Sequence, residues 1–582
     1  MKRYVKRFIS LFMCLALMLS VCSAGALAVE YEAEPKAQSE TVEYDYDFSF
    51  ELPDVSSIFA GLAPLDSFDT FLANLTKVLY NVLNIVVEKL VKSICNVYPD
   101  PAGWDTIDNY GGENFLPGRS TYQTSAGEGN YWSLGYASRS IILEDVENGS
   151  YYIGRDLMNK KAVGVYDDQR IRVTVIDDNS GEGAVVLGVI DSLGVTSTDV
   201  RSIRAGVLEY CKANNIDVAS INITATHCHS GLDTQGVSTE FFYKLFANGL
   251  NNKYQIFDEL PFLEAPTYFK QYFIEQSILA IKEAFADVEA GSMYFSSIDA
   301  SEFIEDKRGL VSKEDIPEIA SLYFVPDSGS EVTYISDISC HPTSFSASHN
   351  LVGSDYIYYL DQYIKENTGG NFMMLQGAVG QLSRDNIVGD TTGMDEYEAW
   401  GASTKELGEN FAKLIVAADY SVELDPILNA KHKDIMVSSE NSILVLACET
   451  KLVNNTVYYD ENGEPVMSSE IGYVEFGHKV GFALFPGEFY PEVFWGADII
   501  GGTNWDGTEW QYDSLANSVD SVSVYAVCLA NDAIGYVLTD NNFAFMGHII
   551  GEGTSDEVLS AGKHIGSFLV GEYLDLVDDM VK

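Results

Sequence analysis

Residues 221–226 alternate apolar Ile221, Ile223 and Ala225 with polar Asn222, Thr224 and Thr226, the period-two pattern of a half-buried strand. Carrying that alternation on puts His227 and His229 on the apolar-side face at the strand's C-terminal end, before Ser230 and Gly231 break it. Along the rest of the chain, period-two and helical patterns take turns. Strands are predicted at 170–175, 184–190, 217–226, 291–298, 319–325, 332–339, 372–375, 442–447, 480–485 and 522–528. Helices are predicted at 197–214, with Thr198 as N-cap, and at 268–288, 354–366 and 404–418. This mixture implies an α/β body, a large mixed sheet or paired sheets with flanking helices, occupying 132–582 as one domain.

Ahead of that body, residues 29–131 divide into an acidic lead-in (30–53), a helical extension (66–97) and a loop rich in Gly, Pro, Asn and Asp (96–130). In the extension, apolar residues from Phe68 to Val91 recur at three- and four-residue steps. Such a stripe packs on the main domain, dimerises or lies on a membrane surface, and packing is the default. Residues 1–28 read as a signal peptide: Lys2, Arg3, Lys6 and Arg7, then apolar Ile9–Val21, then Ala26-Leu27-Ala28. A lipoprotein signal ending at Cys22 is the alternative, against which the bulk of Val21 counts. No later stretch holds about 20 uninterrupted apolar residues, so no membrane span is expected, and contact with a membrane surface would be transient.

Charge sharpens the picture. Removal of the signal peptide takes away four positive and no negative charges, so the net charge of −51 becomes −55. Nucleic acid would be repelled by it, as would anionic lipid. A secreted or cell-surface protein is expected, with a structural Ca²⁺ or Mg²⁺ compatible with so acidic a chain. Six cysteines lie beyond the signal, scattered and without a CxxC, which favours buried thiols over a disulfide framework.

An H-x-H pair at a strand end is suited to metal binding or proton transfer. Three further stretches repeat the arrangement, an apolar strand followed by residues of ligand type. They are Cys340-His341-Pro342, Pro486-Gly487-Glu488, and Asn531-Asp532 with Tyr536. In α/β sheets, ligands bind in the crevice beyond the carboxyl ends of the strands. If these strands share a sheet, His227, His341, Glu488 and Tyr536 meet there, and two imidazoles with a carboxylate are a usual protein set for catalytic zinc. The aromatic segment 235–266 directly after the histidine pair reads either as a lid or substrate wall, or as a packed insertion.

These motifs resemble the neutral/alkaline non-lysosomal ceramidases. The family's T-H-T-H-S-G-P segment stands here as Thr226-His227-Cys228-His229-Ser230-Gly231, with Leu232 in place of the proline. Its histidine-containing strand end is similar to HPTSFSASHNLVGSDY, and its P-G-E-F stands as Pro486-Gly487-Glu488-Phe489. Its final tyrosine segment is similar to NDAIGYVLTDN, which puts Tyr536 on the ligand tyrosine. The resemblance spans about 132–555 and implies one catalytic Zn²⁺ held by His227, His341, Glu488 and Tyr536. It implies an N-acyl lipid substrate such as ceramide, with His229 as general base and acid. Tyr536 and Arg308 would stabilise the oxyanion, and Ser383 would position the substrate or act as nucleophile. The family's G-D-V-S-P-N loop appears as Gly380-Gln381-Leu382-Ser383-Arg384-Asp385-Asn386, keeping the glycine and serine but not the Asp and Pro. Zinc hydrolysis of another ester or amide therefore stays open, as does a catalytically silent secreted binding protein. The C-terminal immunoglobulin-like domain of long family members is expected to be absent.

Overall fold

Residues 184–190 read AVVLGVI, apolar at every position, because their sheet is covered on both faces. Val185, Leu187 and Val189 point into a core shared with Trp132, Phe324, Phe476 and Phe482. Val186 and Ile190 point the other way, onto a helix layer carrying Ile203, Val207, Phe273 and Ile281.

The computed structural model describes residues 89, 92, 95, 105–148, 151–155, 160–238, 244, 248, 264–345, 350–384, 392–496, 509–543 and 556–582. The signal peptide, nearly all of the 66–97 extension, most of the 235–266 aromatic segment, His349 and Asp385-Asn386 lie outside them. The chain divides into two compact units, Met1–Val97 with Ala544–Val558, and Tyr98–Phe543 with Leu559–Lys582. All that follows belongs to the second.

Its larger sheet runs β8-β7-β6-β5-β1-β2-β3-β4. Here β1 is Trp132–Ser140, β2 Arg170–Asp177, β3 Ala184–Ile190, β4 Val218–Ala225, β5 Glu289–Ile298, β6 Ile319–Pro326, β7 Thr333–Ile338 and β8 Asn371–Gln376. Val422–Leu424 adds a ninth strand on β5. Only the terminal pairs, β7–β8 and β3–β4, are parallel. A second sheet contains β9 (Leu428–Ser438), β10 (Pro465–Phe476), β11 (Val480–Leu484) and β12 (Ser523–Val527). The two sheets face each other across one core. Helices α1 (Ser197–Asn214), α2 (Glu264–Ala286), α3 (Tyr356–Thr368) and α4 (Glu396–Ala417) cover the outer face of the larger sheet. Helix α5 (Ile565–Val581) lies on the outer face of the second, its Tyr573 ring 6.5 Å from that of Tyr473. The mixed α/β architecture expected from the alternating patterns is therefore present, in its paired-sheet form. Among the described residues, no helix is long and apolar enough to cross a membrane.

The larger sheet brings its two edges together. Cys528 N–H donates to Gln376 at the end of β8 (2.7 Å), and Asn531 N–H donates to Ile223 in β4 (2.8 Å). The Asn531 side chain completes the seam, accepting from Ile223 N–H (2.9 Å) and donating to the Asn222 side chain (3.0 Å). So the polar side of β4 is not solvated, as a half-buried strand would have it; Asn222 and Thr224 are buried against this seam.

Other expectations shift as well. Residues 442–447 are helical within Ser442–Glu449, because Asn441 caps the segment by accepting from Ile443 N–H (3.0 Å). The cap of α1 is Thr196, whose hydroxyl bonds the Asp199 carboxylate (3.0 Å), rather than Thr198. The 96–130 loop contributes Asp105–Thr106, paired with Val457–Tyr459, and a buried Arg119 held by Asp178 (2.8 Å) and Leu428 O (2.7 Å). All six cysteines beyond the signal, Cys95 of the first unit included, are buried and form no disulfide, as their scatter suggested.

Candidate metal centre

His227 follows β4 by two residues, but it does not continue the strand. Its φ is +61°, a left-handed conformation that a non-glycine residue adopts at a cost of about 1–3 kcal/mol. Backbone bonds on either side hold the turn. Thr226 N–H donates to Ile190 O (2.9 Å) and Cys228 N–H to Ser192 O (3.0 Å). The turn aims the His227 ring inward, with Nδ1 2.7 Å from the Leu193 carbonyl. An imidazole donating from Nδ1 to a carbonyl has its tautomer fixed and presents Nε2 as the ligand atom.

Nε2 of His227 lies 3.2 Å from Nε2 of His229 and 2.8 Å from Oε2 of Glu488. His341, three residues past β7, places Nε2 3.6 Å from the same carboxylate oxygen. The His227 and His341 ring centroids are 4.6 Å apart. His227, His229 and His341 offer nitrogens within 4.8 Å of one another, and among the described residues they form the one such cluster of metal-ligating side chains. His227 and His341 come from opposite ends of the larger sheet, while Glu488 comes from the second. The seam that draws the sheet edges together thus also gathers the site.

Glu488 and Tyr536 reach the site as a pair. Glu488–Phe489 lies parallel to Tyr536–Val537, with Glu488 opposite Tyr536, and Glu488 N–H donates to Gly535 O (2.9 Å). This explains the glycine of Pro-Gly-Glu: a Cβ on Gly487 would stand 2.7 Å from the Gly535 carbonyl oxygen. Ser383 is buried beside the cluster, bridging His341 in parallel register, with His341 N–H donating to Leu382 O (2.8 Å). Arg308 is engaged elsewhere. Its guanidinium forks onto Glu492 (2.7 and 3.0 Å), bonds Asp306 (3.2 Å) and lies over the Tyr490 ring, 4.2 Å from its centroid. The sequence reading did not find Glu492, although it lies four residues past Glu488.

Burial would raise the Glu488 pKa, but His227 and His341 outweigh it and hold it at about 2. Burial likewise opposes a charge on His227, yet the Glu488 carboxylate raises its pKa. His341 falls to about 4 through burial, and burial with its neighbours holds His229 well below the ordinary range. The centre thus contains one carboxylate, one imidazole poised to carry a proton, and two neutral imidazoles. These donors fit a divalent zinc-like ion: nitrogen and carboxylate atoms converge, one ring is oriented by a carbonyl, and the His341 Nδ1 has no hydrogen-bond partner.

A consequence is measurable. A metal held by His227 would have to displace the proton that Glu488 stabilises there, so loading should release protons. Apparent affinity should therefore fall as pH drops. Calorimetry in buffers of different ionisation enthalpy reads both; release of no protons would mean that His227 is not a ligand.

No protein-family model matches the chain, and no curated protein matches it. Among solved structures it is similar to the neutral ceramidase from Pseudomonas aeruginosa, at 16% identity and a TM-score of 0.56, covering 77% of this chain and 74% of that one. It is also similar to a ceramidase complexed with C2, at 15% identity and a TM-score of 0.54, covering 77% and 75% of the two chains. The chain has the fold of the neutral ceramidases, and its histidine cluster stands within that fold.

Proposed function

We propose that this chain is a secreted, zinc-dependent amidohydrolase that cleaves the N-acyl amide bond of ceramide or a related N-acyl lipid. The observation that carries the reading is the convergence of His227, His229, His341 and Glu488 on one buried point in a ceramidase-like fold. Secretion rests on the basic, apolar and small-residue pattern of residues 1–28.

His227, His341 and Glu488 would hold the zinc, with Tyr536, opposite Glu488 in register, as the fourth ligand. When bound, the ion would polarise the scissile carbonyl and make a water acidic enough to attack near neutral pH. His229 belongs to the same cluster, and burial with its neighbours lowers its pKa; as general base it would take the proton of the attacking water and deliver it to the leaving amine. The water oxygen ends on the acyl carbon as the carboxylic acid, and the C–N bond breaks to the amine. Ser383, bridged to His341, would orient the substrate, and Tyr536 would face the developing oxyanion. Arg308 must leave Glu492 before it could join them; held as it is, it braces Tyr490 and Glu492.

His229→Ala tests these roles. Turnover of N-acyl amides should fall about 10²–10⁴-fold while zinc content is kept. Loss of zinc with turnover would make His229 a third nitrogen ligand instead of the base. A wild-type protein that binds zinc but cleaves no N-acyl amide would overturn the amidohydrolase reading and favour another acyl bond or a binding protein.

A further inference from the structure

The residues of the centre arrive on separate arms of the chain, and one ion pair joins two of those arms. The first carries His341. Its N–H donates to Leu382 O (2.8 Å), and Leu382–Ser383 lies antiparallel to Glu305–Asp306, with Leu382 opposite Asp306. The Asp306 carboxylate, itself buried, folds the residues that follow into a turn. It accepts from the N–H groups of Arg308 (3.1 Å), Leu310 (3.0 Å) and Val311 (2.9 Å). The second arm carries Glu488 and Tyr536, opposite each other in register, and runs through Tyr490 into the short helix Pro491–Trp495. Tyr490 N–H donates to Val537 O (3.0 Å), so the pairing that aligns Glu488 with Tyr536 extends to Tyr490.

Arg308 spans the gap between these arms. All three guanidinium nitrogens donate within the clasp, Nη1 and Nη2 to Glu492 (2.7 and 3.0 Å) and Nε to Asp306 (3.2 Å). The Glu492 side chain is fully buried and that of Arg308 is 11% exposed, so breaking the fork would leave a carboxylate buried without its cation. The same guanidinium covers the Tyr490 ring, 4.2 Å from its centroid. Tyr490 is confined from a further side by Gly380, where a Cβ would stand 2.8 Å from the Tyr490 Cα. The loop that leads to Ser383 therefore packs directly on the Tyr490 backbone. Held in this way, the buried Tyr490 ring lies 6.2 Å from the Tyr536 ring, tilted by 58°.

We propose that Arg308 and Glu492 are positioning residues of the metal centre: their clasp fixes Tyr490 and, through its ring, sets the Tyr536 phenol relative to Glu488 and His341. Arg308 then acts through Tyr536 and does not itself meet the substrate. The assignment rests on the reading of Tyr536 as a ligand and extends it to two residues outside the ligand set.

A fluorine label at Tyr536, introduced as 3-fluorotyrosine, tests the placement in the metal-free full chain with no turnover. Arg308→Met and Glu492→Gln should each shift its resonance. Arg308→Lys, which keeps the charge without the planar fork, should fall between them and wild type. Arg139→Met breaks an ion pair with Glu283 on α2 and should leave the resonance in place. Glu492→Gln preserves the shape of the side chain, so it carries the test if Arg308→Met does not fold. On zinc loading, both clasp variants should lose about tenfold or more in affinity. With N-dodecanoylsphingosine as substrate, their loss should fall on kcat while KM holds. A resonance unmoved in both variants would overturn the proposal, as would a rise in KM confined to Arg308→Met, which is the signature of a substrate contact. If the wild type takes up no zinc, it is the metal reading that fails, and the fluorine resonance still decides whether the clasp positions Tyr536.

Discussion

Replacing His227 with alanine is expected to abolish stoichiometric zinc binding and, with it, hydrolysis. His227 sits at the middle of the cluster: its Nε2 lies 2.8 Å from Glu488 and 3.2 Å from His229 Nε2. Its ring is also aimed by the Leu193 carbonyl at 2.7 Å. Loss of an outer partner of a metal ligand typically costs about 10–100-fold in affinity, and loss of the ligand itself should cost more. The variant also leaves Glu488 buried without its nearest cation, so its carboxyl pKa should rise from about 2 towards the ordinary range. The sign follows. In the wild type, Glu488 contributes stability above its unfolded value of about 4.5, and that contribution is lost as pH falls through about 2. In His227→Ala most of this contribution should be gone at every pH. Metal analysis beside unfolding curves at pH 7 and pH 4 checks both statements. A variant with one firmly bound zinc would remove His227 from the ligand set.

The second large effect is structural. Arg204, from α1, passes through the larger sheet's edge to the second sheet, bonding Ile221 O (2.9 Å) and forking onto Glu470 (2.7 and 2.5 Å). Both side chains are about 2–3% exposed. Arg204→Met should cost about 3–5 kcal/mol, because it leaves a carboxylate buried without its partner. Arg204→Met with Glu470→Leu should recover most of that, since an apolar pair strands no charge. The pH dependence separates this from a simple loss of packing. Burial opposes charge on Glu470, but Arg204 outweighs it and lowers the carboxyl pKa. The pair's contribution is therefore present above the unfolded carboxylate value and lost as pH falls through the lowered one. In Arg204→Met the carboxyl is pushed up instead, so the deficit against wild type should narrow in acid. Denaturant unfolding of the three proteins at pH 7 and pH 4.5 reads it; equal deficits for the single and double variants would mean that the ion pair is not the source.

The same pair accounts for the part of the fold that the residue pattern concealed. Strands β9 and β10 carry His432, Glu470 and Glu475 at buried positions. Inward-facing polar residues break the period-two alternation by which a strand is recognised, so neither strand was predicted. The two glutamates are satisfied by residues far along the chain. Arg204 reaches Glu470 from 266 positions away, and Asn429 reaches Glu475 (2.9 Å) from the neighbouring strand. Where the core is apolar on both sides, as in β3, or where helix periodicity is clean, as in α1, the expected and observed elements coincide.

What the sequence determined by itself was which residues could gather at one site: two histidines at one strand end, a third after another, and a glutamate behind Pro-Gly, all local signals of strand-to-turn transitions. It also determined the alternation of sheet and helix, because burial leaves a periodic trace. Only the tertiary structure decided that His227 turns out of the strand at φ +61°, and that the sheet edges meet through Asn531. It alone assigned Arg308 to Glu492. The reason is physical. A side chain's inward or outward bias is set by its own polarity and its neighbours' spacing, whereas a charge's partner is set by loop closure over hundreds of residues, which leaves no local pattern.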